Sequence, residues 1–411
     1  MVKKLFYLFI FFAPFTSFFA LSGWLRLPVI INQILFILLM LSVLRQNTIR
    51  TKWILKDDLL LIIFLALVWV SYVIGFKETR SFNHSLAYTN SILFYFFLSK
   101  YIITVFHISS VKIGKIIYWS FLACSFIIIV DFIGKNYFNY SFRSVFSELD
   151  GVTSNMDYFT RAGLYRVGGV AEEPGHMAMF YNIYFGLSLY YIYRTEKTKL
   201  YKWILAIFII AHFAMFSNAG IVLPIIAVFL IFSLNKLTRL KISIGQLTGL
   251  TALLISIAVV SGVLFFFDIG QSSQIFEEFF NKIFFSENLQ YSSSGQRLKQ
   301  WGRAFINFIK HPIFGNGPGF GVNEDPEGYL SVYLTILSDI GILAFIFFVA
   351  FLESIIINLW KLEKTIRSLL LFCVITSFIH LMIMADFYHA PFWILLVFIQ
   401  LVTKENKEAL Q

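Results

Sequence analysis

The sequence predicts an all-α, polytopic integral membrane protein with about twelve transmembrane helices. Three observations predict the helical membrane class. Hydrophobic residues make up 58% of the chain and charged residues 14%, against roughly 25% charged in soluble domains. Apolar runs of spanning length recur from end to end. Basic residues concentrate in alternate connecting segments, as the positive-inside rule requires. The 411 residues read as a single membrane domain, 1–411. The net charge of +10 therefore has to be divided between two membrane faces, and it does not point to nucleic acid. Cys124 and Cys373 both fall in apolar runs, which leaves no disulfide framework and no zinc-type cluster.

The apolar runs lie near 5–20, 27–44, 58–75, 86–106, 113–131, 174–193, 201–217, 219–234, 245–267, 328–352, 368–384 and 387–403. The first, within MVKKLFYLFIFFAPF, has the look of a signal peptide without its small-residue cleavage site, and reads as a retained span. With both termini in the cytoplasm, the inner segments hold such groups as Lys3 and Lys4, Arg45 to Lys56, Arg194 to Lys202, Lys236 to Lys241 and Lys361 to Arg367. The short outer loops hold Arg26, Lys77 and Arg80. Two long segments, 132–173 and 268–327, then lie outside, and function is to be sought there. No Walker A sequence is present, which argues against an ATP-driven pump.

The chain is organised around Ser292–Gly321, SSSGQRLKQWGRAFINFIKHPIFGNGPGFG. Gln296–Lys310 has the spacing of an amphipathic helix, with Leu298, Trp301, Phe305 and Phe308 on one side and Gln300, Arg303, Asn307 and Lys310 on the other. Arg297 and Lys299 add charge. Such a helix suits a membrane–water interface. His311-Pro312 ends it, and Gly315, Gly317, Gly319 and Gly321 follow. A glycine-rich turn can aim its N–H groups at an anion, so helix and turn together suggest a diphosphate cradle; a surface helix followed by an ordinary loop has the same pattern. Gln274–Phe285 reads as a second interfacial helix.

The first outer segment ends in RAGLYRVGGVAEEPGHMAM, Arg161–Met179. Pro174 is preorganised for a first helical turn, and carboxylates at that helix start are favoured by its dipole. Glu172 and Glu173 fit that structural role. They also fit a chemical one. Glu173 and His176 share a helix face, and with Arg166 they supply a base for an attacking hydroxyl and a cation for a leaving group. Arg161 and Arg143 are further cations on the loop. Asn323–Glu327, NEDPE, reads as a solvated acidic turn with the oxygen chemistry of a divalent-cation site as its alternative. Asp339 falls inside the tenth run, where a carboxylate needs a polar cavity or a partner. His212 and His380 read as hydrogen-bonded core residues.

These motifs resemble the bacterial O-antigen ligase/polymerase superfamily. An Arg four residues before a Trp, then an H-P-hydrophobic-F-G-x-G turn, matches Arg297, Trp301 and His311–Gly317. Arg166, Gly169 and Glu173-Pro174-Gly175 are similar to the R…G…EP pattern of the repeat-unit polymerase (Wzy-type) branch. Ligases carry His-Asn where this chain has Leu330-Ser331, and Ser-Arg where it has Ser217-Asn218. The resemblance implies a GT-C-like glycosyltransferase of the bacterial plasma membrane with an extracytoplasmic site. It would extend O-antigen, capsular or related polysaccharide from undecaprenyl-diphosphate-linked oligosaccharides, without cofactor or metal. A chain-length regulator and a flippase are the implied partners, besides membrane lipids. Catalysis would rest on Glu173, Arg166, His176 and Arg297. Substrate binding would rest on Arg161, Arg303, Lys299, His311, Gly315, Gly317 and Asp339. The competing readings are an O-antigen ligase acting on lipid A–core and a repeat-unit flippase, whose charges would line a central cavity rather than long outer loops.

Overall fold

The structure is a computed structural model that describes residues 1–18, 25–46, 53–141, 160–161, 164–197, 199–237, 293–385 and 387–411. The run near 245–267, the stretch Gln274–Phe285, Arg143 and the side chain of Arg161 lie outside those residues. The described chain is a helical bundle with one small hairpin, Thr160–Arg161 paired antiparallel to Leu164–Tyr165.

In chain order the helices are α1 (Val2–Phe12), α2 (Leu27–Gln46) and α3 (Asp58–Ile74). A continuous rod follows, made of α4 (Thr79–Thr89), a π-helical segment (Asn90–Leu98) and α5 (Ser99–Val105). Then come α6 (Ser110–Tyr137), α7 (Pro174–Arg194), α8 (Leu200–Met215) and α9 (Asn218–Leu237). After the undescribed stretch stand α10 (Ser293–Lys310), α11 (Phe320–Glu324), α12 (Val332–Thr335), a π-helical turn (Ile336–Ile340), α13 (Ile342–Leu359), α14 (Lys364–His380) and α15 (Ala390–Leu410).

Helix α7 is the axis of the bundle. It packs against α6, α8, α9, α14 and α15, and nearly every residue on it is buried. Because no side meets lipid, it tolerates polar groups that are partnered inside. Tyr181 stacks on Phe121 with ring centroids 4.6 Å apart and shares a 2.7 Å hydrogen bond with Ser125. The Tyr184 hydroxyl donates to the Ile10 carbonyl at 2.7 Å. Such satisfied pairs are what a buried polar group requires.

Three helices, Ser110–Tyr137, Asn218–Lys236 and Ile342–Leu359, are long and apolar enough to cross a membrane; Leu27–Leu41, Asp58–Ile74 and Leu200–Met215 are shorter apolar helices. Ile37, Val73, Phe126, Phe213 and Phe232 are exposed on the bundle's outside, as lipid-facing residues would be. Apart from the run near 245–267, the remaining predicted spans are helical wholly or in part among the described residues.

The tenth predicted span needs correction. Residues 328–352 do not form one helix: the chain breaks at Gly341, whose φ is +95°. A Cβ at Gly341 would collide with the Ile313 carbonyl, so the break makes room for the glycine-rich turn beside it. Hydropathy does not register it, because both pieces are apolar. Asp339 consequently precedes α13 instead of lying within a continuous span.

The predicted orientation has a direct check. With Cys124 and Cys373 replaced, Ser293→Cys is expected to react with a membrane-impermeant thiol reagent on intact cells, and Lys199→Cys and Lys364→Cys to be protected. Protection of Ser293→Cys would move the site to the other face.

Candidate functional site

Helix α10 forms as its spacing predicts and stops at Lys310, before His311-Pro312. Its polarity is the reverse of a soluble surface helix. Gln300, Ala304 and Asn307 are buried, while Leu298, Phe305, Ile306 and Ile309 are more than half exposed. The inward polar face is clasped by the acidic turn. Gln300 donates to Asp325 at 2.7 Å and Asn307 to Glu324 at 2.6 Å. Arg303 pairs with Asp325 at 2.9 Å, donates to the Gly328 carbonyl at 2.8 Å and lies over the Tyr329 ring. The Gln300 amide, with the Glu327 N–H and Arg303, holds the Asp325 carboxyl below its ordinary value. An outward apolar stripe on an inward polar anchor is the arrangement of a helix lying at the lipid headgroup level.

The glycine-rich turn does present converging N–H groups, and the carboxyl group they meet is the protein's own. Gly319 N–H donates to Asp339 Oδ2 at 3.0 Å and Gly321 N–H to Asp339 Oδ1 at 3.1 Å. Gly317 N–H donates to the Asp339 carbonyl at 2.8 Å and Gly315 N–H to the His311 carbonyl at 2.9 Å. The expected diphosphate cradle at Gly315 and Gly317 is thus replaced by a clasp, and the Asp339 side chain is its internal acceptor. Gly317 has φ +111°, and a Cβ there would lie 2.9 Å from the Phe76 nitrogen; the glycine serves conformation and close approach. Asp339→Asn should turn an amide N–H₂ toward a backbone N–H and leave that donor unmet. A loss of about 1–3 kcal/mol is expected, read as a lower unfolding midpoint of the purified protein; an unchanged midpoint would dismiss the clasp.

The other half of the site assembles at the start of α7. Glu173 is the N-cap residue, with extended backbone and no side-chain cap hydrogen bond, and it is exposed. Its carboxylate couples to Arg297 on α10: burial lowers the Arg297 guanidinium from its ordinary value, and Glu173 pulls it back up. A guanidinium remains charged throughout the accessible range. Among the described residues, Arg297 Nε has no hydrogen-bond partner. An acid and a cation 124 residues apart in sequence are therefore brought within electrostatic reach of each other.

Glu172 has a different place. It forms an ion pair with Arg26, and its second oxygen lies 3.9 Å from His176 Nδ1. His176 is buried, and its ring centroid is 4.9 Å from that of His389, the residue that precedes α15. His380, at the end of α14, is coupled to both His176 and Arg297. His380 is buried, as a core residue is expected to be, and its place at the end of α14 puts it within electrostatic reach of the site. His212 keeps its core role, bonded to the Phe208 carbonyl at 3.1 Å. Arg26, His380 and His389 carry no motif; each sits at or just outside a helix end, and the bundle brings those ends together.

Of the remaining candidates, Arg166 is partly buried, just before the run Val167–Ala171, which is fully buried. Ser17 holds that run in place, its N–H and hydroxyl both donating to the Val170 carbonyl. Lys299 and His311 are exposed. Lys299 is two residues past Arg297, about 200° around the helix, and so points away from Glu173. Arg303 is consumed by the Asp325 clasp, contrary to its expected role on substrate.

The fold and site define a helical membrane protein with an acid, a cation and buried imidazoles at one end of the bundle, a constellation suited to group transfer onto a hydroxyl. Residues 200–349 match the Wzy_C family model, described as O-antigen ligase. That match, over a little more than a third of the chain, supports a place in the O-antigen ligase/polymerase superfamily and points to ligase- or polymerase-type function in surface polysaccharide biosynthesis. The matched segment contains Arg297, the clasp and Asp339, and stops short of Glu173 on its N-terminal side. No curated protein matches the sequence.

Proposed function

We propose that the protein is a surface polysaccharide polymerase. It transfers a nascent glycan from undecaprenyl diphosphate to a sugar hydroxyl of the next lipid-linked repeat unit, at the outer face of the bacterial plasma membrane. The observation that carries this reading is the exposed Glu173 carboxylate at the start of α7, within electrostatic reach of the half-buried Arg297 guanidinium on α10. In the proposed step Glu173 takes the proton of the acceptor hydroxyl while its oxygen attacks the anomeric carbon. The bond from that carbon to the diphosphate oxygen breaks, and Arg297 meets the charge that develops on the leaving diphosphate. Arg166 adds positive charge from the segment before α7. The donor is already activated, so the step needs no nucleotide. His176, held between Glu172 and His389, sets the field behind Glu173.

The exposed apolar stripe of α10 supports delivery of lipid-linked substrates at headgroup depth. Glycan transfer to lipid A–core is the second reading, because the same donor chemistry serves both; Leu330-Ser331, where ligases have His-Asn, favours the polymerase. Deletion of the gene followed by gel analysis of surface glycan separates them. A ladder that collapses to one repeat unit is the expected result. Loss of every glycan attached to core would make the protein a ligase, and lipid-linked repeats trapped on the cytoplasmic face would make it a flippase.

A further inference from the structure

At the end of the bundle opposite Glu173 there is a cavity of about 570 Å³. Its floor is reached along α15: Gln400 lies eleven residues past His389, about 16 Å along the helix. Lys100 and Gln400 line it and are both more than nine-tenths buried. Lys100 is ion-paired with the fully buried Asp58, which also accepts from the Leu55 N–H and from the Gln400 amide N–H₂. The Gln400 carbonyl oxygen, by contrast, is buried with no hydrogen-bond partner among the described residues. Around the mouth stand Lys56, Lys361, Lys404 and Lys407, all exposed.

The acids of the same cavity are largely spoken for. Glu405 accepts from both the N–H and the hydroxyl of Ser110, Asp57 accepts from Asn358 at 3.0 Å, and Glu408 faces Lys404 at 3.8 Å. The ammonium groups of Lys56, Lys361 and Lys407 keep donors to spare, since an ammonium has three. A positive-inside excess of lysine explains basic loops. It does not explain a deep polar cavity that pairs a ring of ammonium donors with one buried, unmet acceptor.

We propose that this cavity binds a phosphate ester that carries a hydroxyl, with the phosphate held by the lysine ring and the hydroxyl donated to Gln400 Oε1. Two sources share that chemistry: the headgroup of an anionic phospholipid and a soluble phosphorylated polyol. The site is separate from the glycan-transfer site and stands whether or not that reading holds.

The test uses the full-length purified protein in neutral detergent, with native mass spectrometry as the readout and two probes, phosphatidylglycerol and glycerol 1-phosphate. One copy of a probe per chain is expected, with phosphatidylcholine displaced by phosphatidylglycerol. Lys361→Gln and Lys407→Gln should each weaken binding about five-fold, the share of one basic residue at an anionic surface. Lys199→Gln and Lys202→Gln, which remove charge outside the cavity, should leave it unchanged. Gln400→Leu should weaken phosphatidylglycerol more than phosphatidic acid, whose headgroup lacks the glycerol hydroxyls. Retention of phosphatidylglycerol alone supports a lipid source, and retention of both probes supports a soluble one. No retention of either, or an equal loss in the Lys199 and Lys202 variants, overturns the site.

Discussion

Arg297→Lys is expected to fail almost as completely as Arg297→Ala, although it keeps the charge. A guanidinium presents a planar fork that meets phosphate oxygens two at a time, whereas an ammonium is a point charge. In the structure Arg297 is half-buried on the inward side of α10, electrostatically opposed to Glu173, so its reach and orientation are set by a clasped helix. If the residue served instead to draw the helix to anionic headgroups, it would contribute about 1 kcal/mol and lysine would replace it freely. Polymer length in cells carrying each variant at matched protein level distinguishes the two. Lys299→Ala is the internal control and is expected to be mild, because that side chain is exposed on another face. A full-length ladder from Arg297→Lys would remove Arg297 from the catalytic machinery.

Glu173→Gln is expected to slow transfer roughly 10²–10⁴-fold, the usual contribution of a positioned general base. The substitution preserves shape, and it removes no cap, since the Glu173 side chain makes no cap hydrogen bond. Glu172→Gln should act differently. It breaks the ion pair with Arg26 and loosens the carboxylate beside His176, so it is expected to lower the amount of folded protein more than the rate per molecule. Initial rates with a purified lipid-linked repeat unit, normalised to folded protein, provide the comparison. Equal and mild effects from the two variants would leave the acid–base role to His176 or another residue.

The sequence favours Glu173 over Glu172 through the Glu-Pro-Gly pattern and a helix face shared with His176. Both glutamates precede Pro174 and suit a helix dipole, and in the structure it is Glu172 that lies beside His176. Their separation comes from Arg26, which reaches Glu172 from the start of α2, and from Arg297, which couples to Glu173 from α10. Neither partner is near in sequence, so no local pattern assigns them. Arg303 shows the opposite outcome. Its charge and spacing are those of a phosphate ligand, yet Asp325 and two backbone carbonyls occupy its fork.

The sequence by itself determined the membrane class, most helix positions, the start of α7 at Pro174 and the stop of α10 before His311-Pro312. These follow from hydropathy, helical period and the backbone limits of proline, all of which act within a few residues. Tertiary structure alone decided which face of α10 turns inward, where the glycine-turn N–H groups find their acceptor, and that Gly341 divides an apolar run. Periodicity states which residues share a face but not what that face meets. Asp339 lies 18 and 20 residues from the N–H groups it accepts, and the match is made only when the chain doubles back.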